Sequence, residues 1–528
     1  MTASHDLAGE PVGYRRYART VPADELISAA SALLAGGYRV AAIAGHDDGR
    51  RLRAVYLFTR PQSQTGAAGH DSPERRGAAG HDSPERRIEL QVELDPASPH
   101  LPSLAGLSFP AGRFEREMRD LYGIIPDDHP LPRRLVRHFH WPRGWYPMRD
   151  NAGPPPAFGD SEGPYPFRAV AGPGVYEIPV GPVHAGLIEP GHFRFSVVGE
   201  TIIKLKARLW FVHKGLEKLF QGRRPPDAIA LAERISGDTA VGHNLAFCLA
   251  VEDALGITAP PQARRARAIL LELERLYNHI TDIGALCNDV GHGILNAHAL
   301  QIREQLLRIN AEVTGHRLLR GAIGPGTAVL NQPPDPTRLA AIAADIAEIV
   351  DLALRHSVVR DRFAGTAVLT RGQAADLGTL GYVARASGLD IDARRDHPTA
   401  ELASFVTSTA DTGDVLARFT TRAAEIATSV AIITNLLEQP VADDDPPQLT
   451  ADRSATWPRS GVGIVEGWRG TITHRIELDH DDRLTRVKVV DPSFFNWPAL
   501  PVALADTIVP DFPLVNKSFN LSYAGNDL

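Results

Sequence analysis

"RRARAILLELERLYNHITDIGALC", Arg264 to Cys287, spaces its apolar residues in steps of three and four. Ile269, Leu270, Leu273, Leu276, Ile280 and Ile283 therefore share one face of a predicted helix. A helix this long and this amphipathic needs apolar partners. "QIREQLLRINAEV" (301–313), "RLAAIAADIAEIVDLAL" (338–354) and "DVLARFTTRAAEIATSVAIITNLL" (414–437) repeat the same period. Together these stretches predict a bundle with a long apolar core.

Outward from the bundle the pattern changes. Near the N-terminus "DELISAASALLAGG" (24–37) reads as a helix stopped by Gly36 and Gly37. "YRVAAIAGHDDGRRLRAVYLFTR" (38–60) gives two strands around an Asp48–Gly49 turn. "IELQVELDP" alternates, with Ile88, Leu90, Val92 and Leu94 on one face. Between these strands "GAAGHDSPERR" occurs at 66–76 and again, unchanged, at 77–87. Two polar copies are too few for a solenoid and read as a duplicated hairpin loop, its His70 and His81 solvated. Residues 12–150 are thus expected to form a small α/β domain. The Pro- and Gly-dense stretch 151–174 is expected to be a linker, and 175–528 a mainly helical domain. Within the last, "GTITHRIELDHDDRLTRVKVV" (470–490) reads as a β-hairpin. The expected class is α+β.

Composition narrows the function. The 528 residues are 43% hydrophobic and 23% charged, an ordinary globular balance too long for one core. A net charge of −7 gives no reason to expect nucleic acid as a partner. The start, "MTASHDLAGE", lacks a basic flank and an apolar run, and no apolar stretch approaches the roughly 18 residues that span a bilayer. The expectation is a cytoplasmic chain, free or held to a membrane by a partner. Its two cysteines, Cys248 and Cys287, are far apart, so no four-thiolate cluster can be built from this chain alone. The Gly-rich pieces "AIGPGTAVL" and "FAGTAVLTRG" lack the P-loop lysine and the dinucleotide fingerprint.

Several segments resemble known families. "FEREMRDLYGIIPDDHPLPRRL" (114–135) resembles the signature of the 30-kDa subunit of respiratory complex I. "GPVHAGLIEPGHFRFSVVGE" (181–200), "WFVHKGLEKLF" (210–220) and "ILLELERLYNHITDIGALCNDVG" (269–291) resemble the large subunit of group 4 nickel–iron hydrogenases. The 49-kDa subunit of complex I is a relative of that fold. The two modules fused in this order resemble the large subunit of formate hydrogenlyase or hydrogenase-4. The resemblance implies a subunit of a membrane-bound oxidoreductase. Its implied partners are a small iron–sulfur subunit, which holds the cluster, and antiporter-like integral-membrane subunits. It would lie on the cytoplasmic face of the membrane without spanning it.

In that family two cysteine pairs hold the nickel–iron centre, the first in a motif of the form R-[IV]-C-G-x-C-G-x-x-H. "RISGDTAVGHN" (234–244) keeps Arg234, Ile235, Gly237 and His243, but Ser236 and Thr239 stand at the cysteine positions. The second pair corresponds to Ser522 and Gly525 in "SYAG". Such a centre needs soft, charged, bridging sulfur, whereas hydroxyls are hard and neutral near pH 7. No nickel and no hydrogen turnover are expected, and no cofactor is expected to be bound by this chain alone. The complex I relative uses the vacated cavity for quinone. Here Gly237 takes the place of that family's Tyr, while His192 in "EPGHFRF" stands for its His, so quinone binding is left open.

The resemblance singles out further residues. Glu217 in "HKGLEKL" would sit near the cavity, either relaying protons or paired with Lys214, Lys218 or a nearby Arg. His279 in "ERLYNHI" matches a His near the partner's cluster, or is a hydrogen-bonded core residue. Arg234 and His243 either brace their loop or line what remains of the cavity. Arg116, Glu117, Arg119 and Asp120 form a charged run that faces solvent or marks a contact. Asp411 and Asp414 are read as starting a helix, one as its cap and one in its first turn.

Overall fold

The computed structural model describes residues 9–61, 86–159, 163–185, 188–402, 405–440, 448–449 and 459–528. The chain falls into two compact units. One comprises Met1–Leu135, Pro142–Phe158 and Ala393–Pro398, the other Val136–Trp141, Gly159–Asp392 and Thr399–Leu528.

The smaller unit is built on a five-stranded sheet. Its strands are β1 (Glu10–Gly13), β2 (Arg16–Thr20), β3 (Arg39–Asp47), β4 (Leu52–Arg60) and β5 (Arg86–Leu94), in the order β1-β2-β5-β4-β3. Only β2 and β5 pair in parallel. Helix α1 (Leu26–Ala35) stops at Gly36 and at Gly37, whose φ is +80°. The β3–β4 turn is held by the Asp47 and Asp48 carboxylates, which accept from the amides of Gly49 to Arg51. Residues 66–85 of the tandem repeat lie outside the described residues. Arg86 and Arg87, its last two, are already strand, and Arg60 pairs with Arg86.

Alternation in β5 does not mean a wet second face. Glu89, opposite to Ile88 and Leu90, is fully buried and bonds Arg16 at 2.9 Å. Helix α2 (Phe109–Tyr122) crosses close to β3 at Gly45, where a Cβ would stand 2.6 Å from the Tyr122 ring. The charged run on α2 is not on a solvent face either. Arg116, Glu117 and Asp120 are buried. Arg116 donates to the carbonyls of Arg133 and Arg134, Arg119 to that of Pro132, and Asp120 accepts from the Leu135 amide. The run straps residues 132–135 onto the helix, satisfying backbone groups that a buried loop cannot leave bare.

The larger unit opens with an antiparallel sheet of β6 (Val175–Val180), β7 (His192–Val198) and β8 (Thr201–Arg208). Helices follow: α3 (Leu216–Phe220), α4 (Pro225–Ala232), α5 (Ala240–Leu255), α6 (Pro261–Asp289), α7 (Gly293–Thr314), α8 (Pro336–Arg355) and, after shorter turns, α9 (Val415–Glu438). Helix α6 is the predicted core helix, but it is buried on nearly every side. Its polar residues Glu272, Glu274, Arg275, His279 and Asp282 are as inaccessible as its leucines. Arg275 pairs with Glu272, His279 with Glu425 and Asp282 with Arg422, while Glu274 accepts from the amides of Val241 and Gly242. Asp414 caps α9, accepting from the Ala417 amide, whereas Asp411 lies outside the helix and is exposed.

A second antiparallel sheet joins β9 (Arg459–Gly467), β10 (Gly470–Leu478) and β11 (Leu484–Val490). The last two are the predicted hairpin. Strand β9 is hidden in the sequence by glycines, which weaken any strand pattern. Gly461 and Gly463 are there because α5 lies directly on them. A Cβ at either would stand 1.9 Å from the carbonyl oxygen of Ala250 or Ala246. Short helices close the unit, ending with Tyr523–Asp527.

Candidate functional site at the replaced ligand positions

The loop before α5 presents Ser236 to Thr239, and the chain's last turn presents Ser522 to Gly525. These segments meet. Ser236 Oγ lies 2.8 Å from Ser522 Oγ, 286 residues away, and the contact is buried. The direction of the bonds follows from counting protons. Ser236 donates to Asp238 Oδ1 (3.0 Å), so its oxygen accepts from the Ser522 hydroxyl, which itself accepts from the Gly525 amide (2.8 Å). Thr239 also donates to Asp238 and accepts from Trp468 Nε1 at 3.1 Å. Asp238 is gripped by Arg469, whose two terminal nitrogens each approach a carboxylate oxygen at 2.7 Å. Partial burial raises the Asp238 pKa, but this guanidinium and the hydroxyls bring it down to about 2.

Behind this chain of donors stands Asp491. His243 Nε2 donates to it at 2.9 Å, and His243 Nδ1 lies 3.1 Å from His474 Nε2. Burial and the His243 ring push the His474 pKa far below the ordinary imidazole value, so this ring stays neutral. Burial alone would raise the Asp491 carboxyl, yet its bond to His243 holds it low. A Cβ on Gly525 would stand 2.6 Å from the Asp491 carboxylate.

The other segments reach the same last turn. Glu189 accepts from the Ala524 amide at 3.0 Å, and a Cβ on Gly191 would touch the Tyr523 ring. Val212 donates to Asp527, and Lys214 to the carbonyl of Leu528. Segments 181–194, 210–220 and 234–244 thus all converge on 522–528.

Not every candidate residue joins them. His243 does. His192 is half-buried, its Nδ1 bonding the Gly181 carbonyl (3.2 Å) beside the Phe167 ring. Glu217 is buried but turned to β11, bonding Arg486 (2.7 Å), Lys488 (3.2 Å) and the Val489 amide. Burial opposes its charge, but these two cations keep its pKa well below the usual carboxylate value. Its ion-pair partners are an Arg and a Lys of β11, Arg486 and Lys488, and not Lys214 or Lys218. His279 bonds Glu425 at 2.8 Å, and its ring lies 6.0 Å from that of Trp468. Arg234 is exposed and donates to the Ala230 carbonyl of its own turn, and Gly237 faces open space. Asp238, Arg469, Asp491 and His474 were not singled out by sequence. His474 had a signal: it sits on the apolar face of β10 with Ile472 and Ile476, where a histidine needs a partner.

Comparison with known proteins places this geometry. The model for the respiratory-chain NADH dehydrogenase 30 Kd subunit matches residues 19–155, that for the 49 Kd subunit residues 289–462, and that for nickel-dependent hydrogenase residues 214–287. Hydrogenase-4 component G of Escherichia coli is 32% identical over 453 residues, covering 83% of this chain and 78% of the relative. Formate hydrogenlyase subunit 5 of the same organism is 32% identical, with 83% and 79% covered. The chain belongs to the family of hydrogenase-4 and formate hydrogenlyase large subunits. A subunit of the NADH-quinone oxidoreductase of Bacteroides thetaiotaomicron is 28% identical over 431 residues, covering 74% of this chain and 81% of its own. A chain of an archaeal membrane-bound sulfane sulfur reductase shares the fold, with a TM-score of 0.61 at 23% identity, covering 67% of this chain and 98% of that one.

The match to nickel-dependent hydrogenase implies the thiolate-held nickel–iron centre considered above. The residues present here do not fit it. Two serines, a threonine and a glycine offer no soft donor, and the hydroxyls spend their protons and lone pairs on one another and on Asp238. Among the described residues no group of three or more His, Cys, Asp and Glu is arranged to hold a metal. Nor is any described helix long and apolar enough to cross a membrane.

Proposed function

We propose that this chain is the peripheral large subunit of a membrane-bound, complex-I-like oxidoreductase that neither makes nor consumes hydrogen. One observation carries the reading: Ser236, Ser522 and Gly525 are hydrogen-bonded in one buried place and Thr239 joins them through Asp238, so hydroxyl bonds stand where thiolates would be needed. The family's assembly supplies the rest. A small iron–sulfur subunit would bring electrons towards this region, and antiporter-like subunits would anchor the complex on the cytoplasmic face. A quinone or a similar acceptor would then approach beside Val183, Ile188 and His192. There Val183 and Ile188 are exposed and His192, whose Nδ1 donates to the Gly181 carbonyl, keeps Nε2 as an acceptor for a quinol hydroxyl, while the 236–239 position is already occupied by side chains.

A second reading, a structural adaptor without redox chemistry, is favoured by the same site, since the hydroxyls of Ser236, Thr239 and Ser522 are spent on Asp238 and on one another. The assembled complex decides between them. Purified with its partners, it should reduce quinone or a comparable acceptor with electrons from a reduced iron–sulfur donor, and evolve no hydrogen. Hydrogen evolution would overturn the proposal. An intact complex inert towards every acceptor would leave the adaptor.

A further inference from the structure

We infer that positions 236, 239 and 522, with Asp238 and Arg469, have become a metal-free clasp that closes the C-terminal segment onto the start of α5. The bonds run in one direction. The Gly525 amide donates to Ser522, Ser522 to Ser236, and Ser236 to Asp238, which Arg469 holds from the other side. Arg469 also donates through Nε to the Asn520 carbonyl at 2.6 Å, so one guanidinium grips both ends of the clasp. Trp468 reaches from the same β9–β10 turn to Thr239, and Trp497 donates to the Ser522 carbonyl at 3.2 Å.

Each hydroxyl donates once and accepts at least once, so the chain is complete without any ion. A bridging metal would join the same two segments by bonds to four side chains. Here hydrogen bonds between side chains join them, and Ser236, Thr239, Ser522 and Arg469 are all buried. Closure of residues 520–528 therefore depends on the folding of this chain and on nothing inserted into it. The inference stands apart from any redox role: an adaptor and an acceptor-reducing subunit would need the clasp alike.

Amide hydrogen exchange on the full chain tests it. Protein from nickel-depleted and nickel-supplied cultures should protect residues 520–528 equally. Ser522→Ala strands the Gly525 amide, and Ser236→Ala strands the Ser522 hydroxyl. Each should speed exchange across 520–528 roughly tenfold or more, with residues 39–60 unchanged. The double variant should cost less than the two effects multiplied, because the shared bond is lost once. Protection that rises with nickel in the unaltered protein would overturn the clasp, as would two alanine variants that exchange like the parent. The nickel comparison needs no variant to fold.

Discussion

At position 525 the absence of a side chain leaves room for the Asp491 carboxylate, and that room is already used. A β-carbon there would stand 2.6 Å from the carboxyl, too close for van der Waals contact. Installing cysteine at 236, 239, 522 and 525 together should therefore fail to create a nickel site. Elemental analysis of that quadruple variant should find far less than one nickel per chain, and a stoichiometric value would show that Asp491 yields easily. In the smaller unit Glu115 gives a pH-dependence. Burial raises its pKa from 4.5 to about 7, against the opposing bonds from Ser103 and the Leu104 amide. The folded chain then holds a proton that the unfolded chain has released, so the stability from this group falls as pH rises between those values. The fall is roughly 3 kcal/mol and levels off above pH 7. Glu115→Gln should flatten that part of the profile in thermal unfolding from pH 4.5 to 7.5. An unchanged slope would place the titration elsewhere.

Helix α5 and strand β9 approach without any side chain between them at Gly461 and Gly463. Gly463→Ala should push the two apart and cost at least about 3 kcal/mol, because the obstruction is backbone and cannot rotate away. Chemical denaturation reads the loss, and a cost under about 1 kcal/mol would mean the helix shifts freely. This contact also shows where sequence reasoning runs out. The apolar steps of α6, the Asp48–Gly49 turn and the 470–490 hairpin were legible because each is a local pattern. The strand at 459–467 was not, since its glycines serve a helix some 210 residues earlier in the chain. The charged run on α2 was open between a solvent face and a contact for the same reason: its partners are loop carbonyls that no periodicity announces. At the site, the replaced ligands could be read from a motif. The pairs Asp238–Arg469 and His243–Asp491 could not, because each joins residues more than 200 positions apart.

Over the whole chain, a fused pair of modules tolerates insertion wherever both ends of the inserted stretch are fixed. The tandem repeat enters between β4 and β5, whose ladder is anchored at Arg60 and Arg86. Removing one copy shortens that connection without touching the ladder. Loop-closure entropy then changes by roughly 0.5 kcal/mol. Deleting residues 66–76 should move the melting temperature by no more than a degree or two, as scanning calorimetry can measure. A drop of many degrees would show that the repeat is bound to the fold.

The carboxylate beside Gly525 also bears on which substitutions this chain can accept. Asp491 caps the helix at Pro492–Asn496 through the Ser493 amide while it holds His243. A cysteine at 525 would crowd the Asp491 oxygen that holds His243, with nothing gained until three other thiols were present. Each single change towards cysteine would break a bond before any metal site exists, so selection for stability alone is expected to hold these four positions as they stand.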